Sequence, residues 1–126
     1  MSALLRFSSV LTLVTRAVHV FAGGSECVDA MYASSFDSYP RETVYACWHL
    51  TSLHLALSAV VLLLAGLLPE SEAWVTLARA VAAQYVLYAL VFLHVARSSG
   101  LPQALLKLPQ WIVFLPLGLL IGWATL

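Results

Sequence analysis

Residues 44–68, VYACWHLTSLHLALSAVVLLLAGLL, run without a single charged side chain. At ~1.5 Å per residue such a stretch outreaches the ~30 Å hydrocarbon core of a bilayer, so it predicts a transmembrane helix. The solvent for the rest of the chain is then lipid. His49 and His54 lie in the N-terminal half of the run, and an ionisable group at that depth needs a partner or a task.

Composition agrees with this setting. The 126 residues are 62% hydrophobic and only 10% charged, with a mean hydropathy of +0.93, which excludes a disordered chain and argues against an ordinary soluble domain. Six Lys/Arg balance six Asp/Glu, so no basic footprint for nucleic acid is present. Cys27 and Cys47 are too far apart for a CxxC motif, and the redox compartment stays open. The chain contains no Asn, which rules out N-glycosylation.

The hydropathy pattern divides the chain, read as a single transmembrane domain, into four apolar helices at about 3–22, 44–68, 73–97 and 105–126, with an extramembrane loop over 23–43. The expected fold is all-α, an integral membrane four-helix bundle running up-down-up-down. Helix one carries Arg16 and His19 where a signal peptide would need an unbroken apolar stretch, so it reads as a span. Arg16 either snorkels to the interface or holds an anionic group. The loop holds Glu26, Asp29, Asp37 and Glu42 without any calcium-loop spacing, so these acids read as solvated charge, and 28–36 suits a short interfacial segment. Pro69 ends helix two, Ser71 is placed to cap helix three, and an ion pair with Glu72 or snorkelling accounts for Arg79. Gln84 lies deep in helix three, where an amide more often joins helices than binds substrate, for ~0.6 kcal/mol on average. Pro109 stands near the start of helix four and Pro116 predicts a kink within it. Trp111 and Trp123 are spaced as interfacial anchors. Gly118 and Gly122 permit close helix approach, within the bundle or across a dimer.

Up-down order brings His19, His49 and His94 to the long-loop leaflet, joined by Gln110 and Trp111. His54 is deeper, and five residues of helix turn it some ~140° from His49. His49, beside Trp48, is the better site candidate. Arg41, Arg97 and Lys107, with Arg16 nearby, outnumber Arg6 and Arg79, so the positive-inside rule places the long loop in the cytoplasm.

Trp48-His49, His19 followed by the Gly23-Gly24 pair, and Pro109-Gln110-Trp111 opening a Phe/Leu/Gly helix together resemble a group of small bacterial membrane proteins of uncharacterised function. That resemblance implies four spans, an inner-membrane location and attention to His19, Trp48 and His49; it implies no activity.

Three functions fit these features. An accessory, scaffold or assembly component, self-associating or part of a larger membrane complex, needs only apolar spans and a contact face. A haem- or transition-metal-binding bundle for electron transfer would draw ligands from His19, His49 and His94, with Arg16 for a propionate and Trp48, His54, Gln84, Gln110 and Trp111 lining the pocket. A transport or proton pathway would use the histidines and Gln84 in an oligomer. Catalysis has the least support: no H-E-x-x-H, nucleophile elbow or phosphate loop occurs, and Cys47 and His49 at i and i+2 do not share a helix face.

Overall fold

A computed structural model describes residues 2–126, and within these the chain is helical without a strand. The elements are α1 (Ser2–Ala33), α2 (Ser38–Leu67), α3 (Glu72–Ser98), α4 (Ala104–Lys107) and α5 (Gln110–Ala124). Three of them, α1, α2 and α3, are long and apolar enough to cross a membrane, with apolar windows of mean hydropathy 1.3, 2.1 and 1.6. This suggests a membrane protein. α5 has 15 residues, ~22 Å of helix, and falls short of that length.

Two sequence expectations change here. Most of the expected loop 23–43 is helical: α1 passes through a π-helical turn, Gly24–Val28, and continues as Asp29–Ala33 before a break at 34–37. Gly23-Gly24 widens the helix rather than ending it. Pro40 opens α2 rather than closing a loop, because a proline in a first turn lacks only an N–H that has no intrahelical partner there. Asp37 sits at the N-cap without a side-chain cap bond. The second change is in helix four, expected as one rod over 105–126, which divides at Leu108-Pro109 into α4 and α5. Pro109 has no amide hydrogen to continue α4 and forces Leu108 out of the helical region, to φ −118° and ψ 68°. The Trp111 indole N–H then ties the pieces, donating to the Leu105 carbonyl at 3.1 Å.

The α2–α3 turn forms where Pro69 predicted it, closed by Ser71 N–H donating to Leu68 O at 3.0 Å. Ser71 occupies the N-cap, yet its hydroxyl makes no cap bond. α3 stops at Ser98-Ser99-Gly100, with Gly100 at φ +66°, the left-handed conformation in which glycine terminates helices.

α1 lies along α2 and α3 along α5, and the two pairs meet more thinly through α2–α3 and α1–α5. Each tight seam is built on a glycine. A Cβ on Gly66 would stand 3.0 Å from the Arg6 nitrogen and the Ser2 carbonyl, and one on Gly118 would stand 2.9 Å from the Ala82 carbonyl. These are backbone contacts that no side chain can clear. Gly118 therefore works inside the chain against α3, with Gly122 lying over the same Ala82, and is not a free dimer face. Ser9 adds a hydroxyl bond to the Ala59 carbonyl at 2.7 Å. Arg79 grips the Thr125 carbonyl through Nε at 3.1 Å and Nη2 at 2.7 Å, where a cation also meets the negative end of α5. That bond replaces the expected pairing with Glu72, since Arg41–Glu42 is the only ion pair among the described residues.

The buried centre is made of Leu5, Leu55, Leu62, Tyr85 and Ile121 with several alanines. Outward faces carry Phe7, Val14, Val18, Phe21, Leu50, Leu57, Leu87 and Val91, all roughly half exposed or more. A large continuous apolar exterior is unsuited to water and suited to lipid.

Candidate functional site

The polar side chains of the apolar helices fall into two groups at different heights. The upper group joins α1 to α2. Arg16, one turn before His19, donates from Nε to the Ser52 carbonyl at 3.2 Å. His19 stacks on the Trp48 indole with centroids 3.8 Å apart and planes 22° from parallel. Its Nε2 lies 3.3 Å from the Trp48 carbonyl. A carbonyl only accepts, so Nε2 carries the proton and Nδ1 is the free nitrogen of the neutral ring. Gly23 completes the face: its Cβ would lie 2.6 Å from Trp48 Cη2, so the bare backbone is what lets the indole lie against α1.

Beside this joint a row of rings runs from Tyr32 at the end of α1 to Tyr45 and His49 of α2, with edge contacts of 5.6 and 4.5 Å. The Tyr32 hydroxyl donates to Glu42 Oε2 at 2.9 Å, Arg41 Nε donates to Glu42 Oε1 at 3.2 Å, and the guanidinium lies 5.0 Å over the Tyr32 ring. The end of α1 is thereby tied back to α2, and Glu42 is a paired carboxylate rather than free loop charge.

The second group lies at mid-depth between α2 and α3. His54 Nε2 and Ser58 Oγ are 3.1 Å apart, a pairing on one helix face at i and i+4. The same imidazole meets Tyr88 edge-on at 5.6 Å and Tyr85 at 6.5 Å. Gln84 Nε2 donates to the Tyr88 hydroxyl at 2.9 Å. Tyr85 is fully buried and points its hydroxyl across to Thr12 Oγ1 of α1 at 3.4 Å. Phe114 of α5 closes the inner wall, 5.3 Å from Tyr85 and 5.5 Å from Tyr88.

The residues proposed from sequence are thus separated by the fold. Arg16, His19 and Trp48 come together, whereas His54 and Gln84 belong to the second group, where His54 bonds Ser58. His49 and His94 are exposed; the His49 ring meets Tyr45, and the His94 carbonyl accepts from Ser98 Oγ at 3.0 Å. Among the described residues no three His, Cys, Asp or Glu side chains gather closely enough to hold a metal ion, so His19, His49 and His94 do not assemble as one ligand set. Cys27 and Cys47 are free thiols. Gln110 begins α5, with its Oε1 buried and without a hydrogen-bond partner among the described residues.

Tyr85, Tyr88, Ser58 and Thr12 were not singled out from sequence. Two of them carried a signal: Tyr88 follows Gln84 by four residues and Ser58 follows His54 by four, the spacing at which helical side chains meet. A separate open space, an apolar cleft of about 420 Å³ between α1 and α5, is lined by Leu11, Val14, Thr15, Val18, Val113 and Pro116 among others. Thr15 is its one hydroxyl-bearing lining residue, and that hydroxyl is spent on the Leu11 carbonyl at 2.8 Å.

Compared with known protein families, with curated proteins and with solved structures, the chain matches none. The likeness carried by Trp48-His49, His19 with Gly23-Gly24, and Pro109-Gln110-Trp111 rests on those residues alone.

Proposed function

We propose that the chain is a multi-pass membrane protein with four spans, α5 being the short fourth, and that it acts as an accessory or assembly component in the plane of the bilayer. The observation that carries this reading is the lateral cleft between α1 and α5, apolar and open sideways where the helices meet most thinly. A partner helix in the bilayer suits such a surface better than a water-soluble substrate does. The upper polar group supports the same reading, because Arg16, His19 and Trp48 join α1 to α2. α5 reaches the opposite interface by local thinning or with the help of α4, at a modest cost. In this orientation the Tyr32–Glu42 side faces the cytoplasm of a bacterial inner membrane, as the excess of Arg41, Arg97 and Lys107 on that side favours.

Reporter fusions at both termini test the span count. Four spans put the two reporters on the same side, and opposite sides overturn the reading in favour of three. Native electrophoresis at low expression tests the role: migration within a larger assembly is expected, and migration solely as a monomer overturns it.

A further inference from the structure

The mid-depth group gathers several side chains with bonding capacity left over on one seam, His54, Gln84 and Tyr88. His54 uses Nε2 on Ser58, and its Nδ1 makes no hydrogen bond among the described residues. When the Ser58 hydroxyl donates to Nε2, Nδ1 carries a proton with no acceptor. Tyr88 accepts from Gln84, and its own hydroxyl proton goes to no acceptor among the described residues; Gln84 Oε1 is likewise unused. All three side chains are half-buried, so the unused donors and acceptor are reachable from the seam. Behind them stand the rings of Tyr85 and Phe114.

Depth decides what can meet them. On the membrane-spanning reading above, His54 lies roughly 15–20 Å from either end of the apolar stretch 44–68. Phospholipid headgroups and ester carbonyls stay ~15 Å from the bilayer centre and cannot reach it. A hydrogen-bonding molecule at that level must carry its polar atoms inside the hydrocarbon. Two donors, Tyr88 O–H and His54 Nδ1–H, call for carbonyl acceptors, while Gln84 Oε1 can take a hydroxyl proton from a reduced form. The flanking aromatic rings suit a flat ring.

We propose that the α2–α3 seam at His54, Gln84 and Tyr88 is a binding site for the head group of a lipophilic quinone, with Tyr88 and His54 donating to its carbonyl oxygens. The inference rests on the membrane-spanning reading, and its test separates the two. The full chain, reconstituted in phosphatidylcholine nanodiscs, is titrated with decylubiquinone, and quenching of tryptophan emission reports binding. Saturable quenching is expected, weakened about tenfold in Tyr88→Phe and in His54→Leu, the loss of about one net hydrogen bond, and unchanged in His19→Leu. Quenching that rises linearly without saturation, or that is the same in the Tyr88→Phe/His54→Leu double variant, overturns the site. A dimer that dissociates in those variants also overturns it, because the free groups then serve a neighbouring helix. Extraction of membranes with alkaline carbonate checks the spanning reading separately: a retained chain that fails to bind quinone sinks this site alone, and a released chain sinks both.

Discussion

The joint at Arg16, His19 and Trp48 and the cluster at His54, Gln84 and Tyr88 use similar residues in opposite ways. In the joint, side chains of one helix bond to backbone carbonyls of the next, and an imidazole lies flat on an indole. Carbonyls are present at every turn, so such bonds satisfy a buried donor wherever two helices lie close, and they leave little over. The cluster bonds side chain to side chain, and groups with several donor and acceptor positions rarely saturate one another. Close approach makes the difference. α1 and α2 touch at backbone distance at Gly66, and Gly23 lets the Trp48 indole lie flat on α1, whereas α2 and α3 stand farther apart and fill the space with rings. Polar residues in a lipid-facing chain therefore serve as fasteners where backbones meet and as a reachable surface where they do not.

The largest test of this contrast removes the ring on which the cluster stands. Tyr85→Ala empties a fully buried site and is expected to cost about 3–5 kcal/mol, read as a shift in the unfolding midpoint in mixed micelles. A cost under about 1 kcal/mol would mean that the seam collapses freely and that the cluster is not held in place.

At the joint the decisive atom is a hydrogen. Gly23→Ala gains about 0.5–1 kcal/mol of helix propensity, but its Cβ would meet the indole at 2.6 Å, and overpacking of that kind costs about 1–3 kcal/mol. Net destabilisation is expected. Gly24→Ala, with nothing within 4 Å of the new carbon, is expected to be neutral or stabilising. Equal behaviour of the two variants would show that the indole is not seated on α1.

The smallest effect is a coupling. A double-mutant cycle between His19 and Trp48, with Leu replacements, should return about 0.5–1.5 kcal/mol, the range for stacked rings. The corresponding cycle between His54 and Tyr88, whose rings touch only by an edge at 5.6 Å, should return less. A larger value there would place the fastener in the cluster and reverse the contrast.

Much of the architecture was legible in residues. The uncharged stretch 44–68 and the Pro69 turn predicted α2 and its end because burial in lipid leaves an apolar chain no other regular form. Proline was read less well. Pro109 broke a helix that hydropathy saw as continuous, and Pro40 stands in the first turn of a helix where a loop over 23–43 was expected, since the effect of a missing N–H depends on whether the position is a first turn or an interior. For the candidate site, the pairing of His19 with Trp48 across two helices lay beyond any spacing rule. The i, i+4 partners His54–Ser58 and Gln84–Tyr88 were readable along a single helix, though their meeting was not.

By itself the sequence determined that the chain is helical and apolar, and it marked the three stretches whose helices are long enough to span a bilayer, because these follow from local composition and rise per residue; that the expected fourth falls short was decided at Pro109. Tertiary structure alone decided which histidine bonds the backbone of the next helix and which bonds a side chain of its own. That depends on the distance between helices, and the distance is set by where Gly66 and Gly118 allow one backbone to rest against its neighbour.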